Sequence, residues 1–257
     1  MAGKTLEVRD VCFGSGTPRI CVPLVAETYA ALSQALKQLD GAPWDLAEWR
    51  ADHYEDAEDS AAVREALELI RSKINNRPLL FTVRTAAEGG EFGKGFEEYR
   101  GILLSAAQTG LIDLADVQLM AGPREQVSAL CRDLQRAGVR VIGSFHDFKA
   151  TPPAEEMTAL LCSMQELGMD MTKIAVMPRS REDVLELLKA AVRMETCEGD
   201  RPCITMSMGR MGLISRIAGS FTGSAVTFAT AGRASAPGQI PAREMAGILR
   251  ALDGGDL

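Results

Sequence analysis

A lysine inside an apolar run, a histidine beside an acid, and three arginines hold most of the chemistry this sequence can offer. Lys173 lies in Met171-Thr172-Lys173-Ile174-Ala175-Val176-Met177-Pro178. Branched residues ended by proline read as a buried strand, along which side chains alternate between faces. Ile174 and Val176 then share one face, and Lys173 and Ala175 the other. A buried lysine is costly unless it is paired or uncharged, and a free amine attacks carbonyl carbons. His146, in Ser144-Phe145-His146-Asp147, can carry a proton either way near neutral pH. Arg50, Arg84 and Arg216 can hold a carboxylate or a hydroxyl-rich anion by forked hydrogen bonds. Arginines near Lys173 are expected to disfavour its ammonium form by like charge. Such parts suit a lyase that forms an imine with a keto acid.

The elements that must bring these residues together read as a regular alternation. Strands are predicted at Leu6–Val11, Arg19–Leu24, Leu46–Ala51, Pro78–Arg84, Ile112–Leu119, Val139–Phe145, around Lys173, Cys203–Ser207 and Ala225–Ala229. A turn is predicted at Gly14-Ser15-Gly16. Helices are predicted at Thr28–Leu39, Ser60–Ile74 with Ser60 as cap, Phe96–Thr109, Pro123–Ala137, Pro153–Leu167, Arg181–Glu195, Leu213–Ala218 and Ala242–Leu249. Gly89, Gly90, Gly93 and Gly95 predict a mobile loop. Eight strand–helix units, with no linker or repeat between them, imply an α/β chain forming a single (β/α)8 barrel over residues 1–257, with a short strand pair at its start. An open doubly wound sheet is the second choice, weakened by the lack of a G-x-G-x-x-G turn after the first strand.

In such a barrel the site lies at the carboxyl ends of the strands. Alternation puts Glu48 with Arg50, Thr82 with Arg84, Ser144 with His146, and Lys173 with Ala175 on the inward side. Alone, each has an ordinary explanation: Glu48–Arg50 as an ion pair, Arg84 or Arg216 on the surface, Glu88 as a solvated loop acid, His146 satisfied by Asp147. Four to six such coincidences on one rim are less probable than one site. His53 reads as a structural or surface histidine.

Composition narrows the function. The chain has 257 residues, is 46% hydrophobic and 25% charged, and carries a net charge of −7. That balance disfavours non-specific nucleic-acid binding. Met1–Phe13 lacks a signal-peptide apolar core, and no apolar run is long enough to cross a membrane. The six scattered cysteines read as reduced cytosolic thiols. Two histidines exclude a histidine-rich metal site.

Six segments together resemble the type I 3-dehydroquinate dehydratases: E-W-R-A-D-H at 48–53, T-V-R-T-A-A-E-G-G at 82–90, S-F-H-D-F at 144–148, K-I-A-V-M-P at 173–178, G-L-I-S-R at 212–216 and S-A-P-G-Q at 235–239. The resemblance implies an eight-fold barrel, a cytoplasmic homodimer, no metal or organic cofactor, and dehydration of 3-dehydroquinate to 3-dehydroshikimate by syn elimination. It assigns imine formation to Lys173, acid–base work to His146, and orientation of that histidine to Glu88. Glu48, Arg50 and Arg84 become substrate contacts and Arg216 the carboxylate clamp. Ser235 and Gln239 fall on a loop that closes over the ligand. Three positions depart from the family pattern. Phe145 precedes the histidine where Asn, His or Tyr is commoner, Gln118 stands where an acid is usual, and Pro23 replaces a serine of some members. The competing functions are another lysine-imine barrel lyase or aldolase, and a non-catalytic barrel that binds a carboxylate.

Overall fold

The computed structural model describes residues 4–232 and 236–254. Eight parallel strands form its centre: β3 (Arg19–Leu24), β4 (Leu46–Arg50), β5 (Leu79–Thr82), β6 (Leu114–Gln118), β7 (Arg140–Asp147), β8 (Met171–Val176), β9 (Cys203–Ser207) and β10 (Val226–Thr230). They pair in chain order, and β10 returns to β3 with Val226 beside Arg19. The ring closes between β9 and β10, where the Ala225 N–H donates to the Cys203 carbonyl at 2.7 Å. A two-residue strand, β11 (Ile240–Pro241), extends the top of β10. This is the expected α/β barrel.

The surrounding helices are α1 (Tyr29–Lys37), α2 (Ser60–Ile74), α3 (Phe96–Gln108), α4 (Arg124–Arg136), α5 (Ala154–Glu166), α6 (Arg181–Arg193), the short α7 (Leu213–Ile217) and α8 (Gly219–Thr222), and α9 (Ala242–Leu252). They bury apolar stripes such as Val63, Ala66, Leu67 and Ile70 of α2 against the outward strand faces, including Trp49 and Phe81. The outer core is therefore built as helix-on-sheet layers, the usual way to cover both elements.

Three sequence expectations shift. Leu6–Val11 is not one strand but half of a hairpin, β1 (Leu6–Val8) against β2 (Val11–Phe13), turning at Arg9 with φ 51°. The cap of α2 is Asp59, not Ser60; its carboxylate accepts from the Ala61 and Ala62 amides at 2.8 and 3.4 Å. β7 runs past Phe145 to Asp147, so His146 stands on the strand itself. The hairpin seals the floor of the barrel. Val8 and Phe13 pack with Cys21, Leu46, Leu80 and Leu114 in the inner core, and Arg9 bonds Asp113 just before β6 at 2.6 Å.

The inner faces change character along their length. The floor is apolar: Leu46, Leu80, Leu114, Ile142, Met171 and Ile204. One alternation higher the same strands present Glu48, Thr82, Asp116, Ser144 and Lys173, all buried. Burying so many polar groups is tolerable only if they satisfy one another.

Candidate active site

They do so in one connected network at the top of the barrel. Lys173 Nζ donates to Asp116 Oδ2 at 3.2 Å and lies 4.0 Å from Glu48 Oε1. Its ammonium sits 4.7 Å from the centre of the Phe228 ring. Glu48 Oε1 accepts from the Thr82 hydroxyl at 2.9 Å. Arg84 donates to Ser144 Oγ at 3.0 Å and to Asp116 Oδ2 at 2.8 Å. Ser144 in turn donates to Asp116 Oδ1 at 2.5 Å. Burial opposes the charge on Asp116, but Arg84 and Lys173 outweigh it and hold the carboxyl at about 2. Burial likewise works against Arg84, and Asp116 and Glu88 more than restore its positive charge, raising its pKa.

This corrects two expectations. The nearest charged groups to Lys173 are carboxylates, not arginines. Gln118 stands where an acid is expected, and the carboxylate that balances charge on the fourth barrel strand is instead Asp116, two residues earlier. Alternation along Leu114-Ala115-Asp116-Val117-Gln118 carries the signal that would have found it.

Glu88 and His146 form the second half of the site. Glu88 ends a 3-10 turn, Ala86–Glu88, that follows β5. Its Oε2 accepts from the His146 backbone N–H at 3.0 Å and lies 2.9 Å from His146 Nδ1. Arg84 Nη1 stands 3.6 Å from the same oxygen. Burial raises the Glu88 carboxyl to about 7 against the pull of Arg84. Burial, then the charges of Arg84, Lys173 and Arg50, push His146 well below its ordinary value. The imidazole is thus neutral at neutral pH and able to accept a proton. The expected glycine loop is tightly packed where it meets this pair. Gly89 has φ +80°, and a Cβ there would fall 2.5 Å from the Phe148 ring; a Cβ on Gly90 would strike the Arg84 carbonyl at 2.1 Å.

Glu48, Arg50, Arg84, His146, Lys173 and Gln239 line one cavity that is open toward solvent. Ala175, Met206, Met208, Phe148 and Phe228 supply its apolar walls, which sequence reasoning had not named apart from Ala175. Arg50 is held by a forked pair to Asp52, at 2.8 and 2.7 Å, and lies 3.1 Å from His53 Nε2. His53 therefore has the structural place expected of it. Arg216, on α7, is buried but does not line the cavity. Its Nη2 donates to the Pro237 carbonyl at 3.0 Å, and its Nε has no partner. Burial lowers its pKa to about 10. Ser235 lies outside the described residues. Among the described residues no group of three or more His, Cys, Asp or Glu is placed to hold a metal ion.

An amine and a neutral imidazole on neighbouring strands, facing one cavity rimmed by arginines, can form an imine and move protons beside it. The family model described as type I 3-dehydroquinase matches residues 20–256. A 3-dehydroquinate dehydratase of Syntrophotalea carbinolica is 47% identical over 251 residues, covering 96% of this chain and 98% of that protein. One from Bacillus licheniformis is 47% identical over 249 residues, covering 97% of this chain and 98% of its own. The crystal structure of the Clostridium difficile type I enzyme, solved with covalent modified comenic acid, superposes with a TM-score of 0.94 at 42% identity, covering 98% of this chain and 99% of that one. The chain belongs to the type I 3-dehydroquinase family.

Proposed function

We propose that this chain dehydrates 3-dehydroquinate to 3-dehydroshikimate through an imine on Lys173. The observation that carries this is the convergence of Lys173 and His146 on one cavity whose other polar groups are Glu48, Arg50 and Arg84. The family and the names of its relatives supply the substrate.

In the apo site Lys173 is ion-paired, so it must lose a proton before it attacks. Asp116, held near 2, is too weak a base to keep that proton. The His146 imidazole, on the same wall of the cavity, takes that proton. The amine then adds to the ring ketone, His146 gives its proton to the carbinol hydroxyl as that group leaves as water, and the protonated imine remains beside a neutral imidazole. That cation draws electrons from the neighbouring C–H bond. His146 removes the proton, leaving an enamine, and returns it to the departing hydroxyl as water forms. One base on one face of the ring makes the elimination syn. Water then hydrolyses the imine and frees the conjugated enone. Glu88, bonded to His146 Nδ1, directs Nε2 toward the substrate and balances the imidazolium while it exists. Asp116 and Glu48 stabilise the cationic imine that replaces the ammonium.

Glu48, Arg50 and Arg84 are the substrate contacts in this reading, with Ser235 and Gln239 on the closing loop. Arg216 takes the carboxylate only after releasing Pro237. Its buried, orphaned Nε and its bond to the Pro237 carbonyl suit that exchange of partners. The proposal includes a single domain, a homodimer, a cytoplasmic setting and a reaction that draws on no metal or organic cofactor. An ultraviolet assay of 3-dehydroquinate turnover tests it. Growth of enone absorbance with release of one product supports dehydration. Two carbon fragments would make the chain an aldolase, and binding without turnover would make it a receptor.

A further inference from the structure

Gln118, at the end of β6, borders a cleft with Glu88 and His146 and does not line the Lys173 cavity. It is almost fully buried, at 1% exposure. Its backbone N–H donates to the Tyr99 hydroxyl oxygen at 3.1 Å, and that hydroxyl donates to the Asp116 carbonyl at 3.2 Å. Its side chain makes a reciprocal pair with Thr85. Oε1 accepts from the Thr85 N–H at 2.8 Å, and Nε2 donates to Thr85 Oγ1 at 2.8 Å. Thr85 is the base of the turn that carries Glu88: its carbonyl accepts from the Glu88 and Gly90 amides at 3.0 and 2.9 Å. A path of hydrogen bonds therefore runs from β6 through Gln118 and Thr85 to the backbone of Glu88, whose carboxylate meets His146.

We infer that Gln118 is a positioning residue for proton transfer, fixing the Thr85–Glu88 turn and, by being uncharged, keeping Glu88 available as the anionic partner of His146. This rests on the reading in which Glu88 orients His146.

The chemistry of position 118 separates the two parts of the role. An amide can accept from an N–H and donate to a hydroxyl at once. A carboxylate could accept from both Thr85 groups, so it keeps the anchor but adds charge. An alanine keeps neither. The charge matters because Glu88 is crowded. Arg84 faces it from the end of β5, Asp116 and Gln118 from β6, and His146 from β7; Asp147 and Lys149 border the cleft on its outer side. Glu88 Oε1 is buried without a hydrogen-bond partner. The Gln118 amide favours the charged carboxyl, against burial and the like charge of Asp116. A second carboxylate at 118 reverses that influence.

The test compares wild type with Gln118→Glu, Gln118→Ala, Thr85→Val and Thr85→Ser, reading kcat, KM, the pH profile, and borohydride trapping with 3-dehydroquinate. Gln118→Glu is expected to keep its kcat at high pH while the acidic limb of its profile moves up by about one pH unit. Gln118→Ala and Thr85→Val are each expected to lose about tenfold in kcat with little change in KM. A variant carrying both Gln118→Ala and Thr85→Val is expected to be no worse than either single one, and Thr85→Ser to match wild type. All variants should still trap the imine. Wild-type profiles in Gln118→Glu, Gln118→Ala and Thr85→Val would overturn the role of Gln118. So would a loss in Gln118→Ala that Thr85→Val does not share. If Gln118→Ala does not fold, Gln118→Glu and Thr85→Val decide between the same outcomes. Absence of any adduct in the wild type would instead overturn the imine reading, a result independent of the variants.

Discussion

The side chain of His146 is 8% exposed and that of its partner Glu88 6%, so the pair titrates inside the protein rather than on it. His146→Ala is expected to leave imine formation intact while kcat falls by about 100- to 10,000-fold. Near-normal turnover in that variant would remove His146 from its role. The same pair shapes stability. Folded His146 resists a proton that the unfolded chain accepts near 6.5, so falling pH below that value favours unfolding. Folded Glu88 holds its proton up to about 7, whereas unfolded it releases it above 4.5. Its contribution is therefore full at low pH and is lost as pH rises from 4.5 to 7. The two effects oppose each other over the shared range. Glu88→Gln removes one of them, so the variant should lose roughly 1–2 kcal/mol between pH 7 and pH 5 relative to wild type, in addition to lost activity. Parallel urea midpoints for the two proteins across that range would show that Glu88 and His146 are not balanced in this way.

Each element contributes to the site by a local rule, and the rules differ in how openly the sequence states them. Buried parallel strands keep a strict two-residue period. Applying it placed Glu48, Arg50, Arg84, His146 and Lys173 on the inward face, where they are found. Asp116 obeys the same rule but sits in a run, Leu114–Gln118, that looks like plain strand until its alternate positions are compared with their neighbours. The direction of Arg216 is fixed by its hydrogen bond to the Pro237 carbonyl, a tertiary contact with no local pattern. The strand pair at the start is legible in the sequence and is found, but its turn is not, because the turning residue is Arg9 at φ 51°, a conformation that normally advertises itself by glycine or asparagine. The turn after β5 does advertise itself. At Gly89, φ +80° and the Phe148 ring both exclude a side chain. Gly89→Ala is expected to cost about 1–3 kcal/mol and to raise KM by displacing Phe148 from the cavity wall. An unchanged melting temperature and KM would show that the turn has room to adjust.

Across the whole molecule, stability and chemistry occupy opposite ends of one barrel. The floor is an apolar plug completed by the hairpin, and the top is the charged network that the plug supports from below. Phe13, with 0% exposure, packs in the apolar floor and does not line the cavity. Phe13→Ala should destabilise the fold by about 3–5 kcal/mol while the folded fraction keeps wild-type KM. A changed KM with intact stability would deny this separation. The central claim concerns the bond formed at the top, and borohydride reduction in the presence of 3-dehydroquinate measures it most directly. The expected result is one covalent adduct per chain, mapped by mass spectrometry to Lys173 and absent, together with activity, in Lys173→Ala. Turnover by the wild type with no trapped adduct, or an adduct on another lysine, would contradict it.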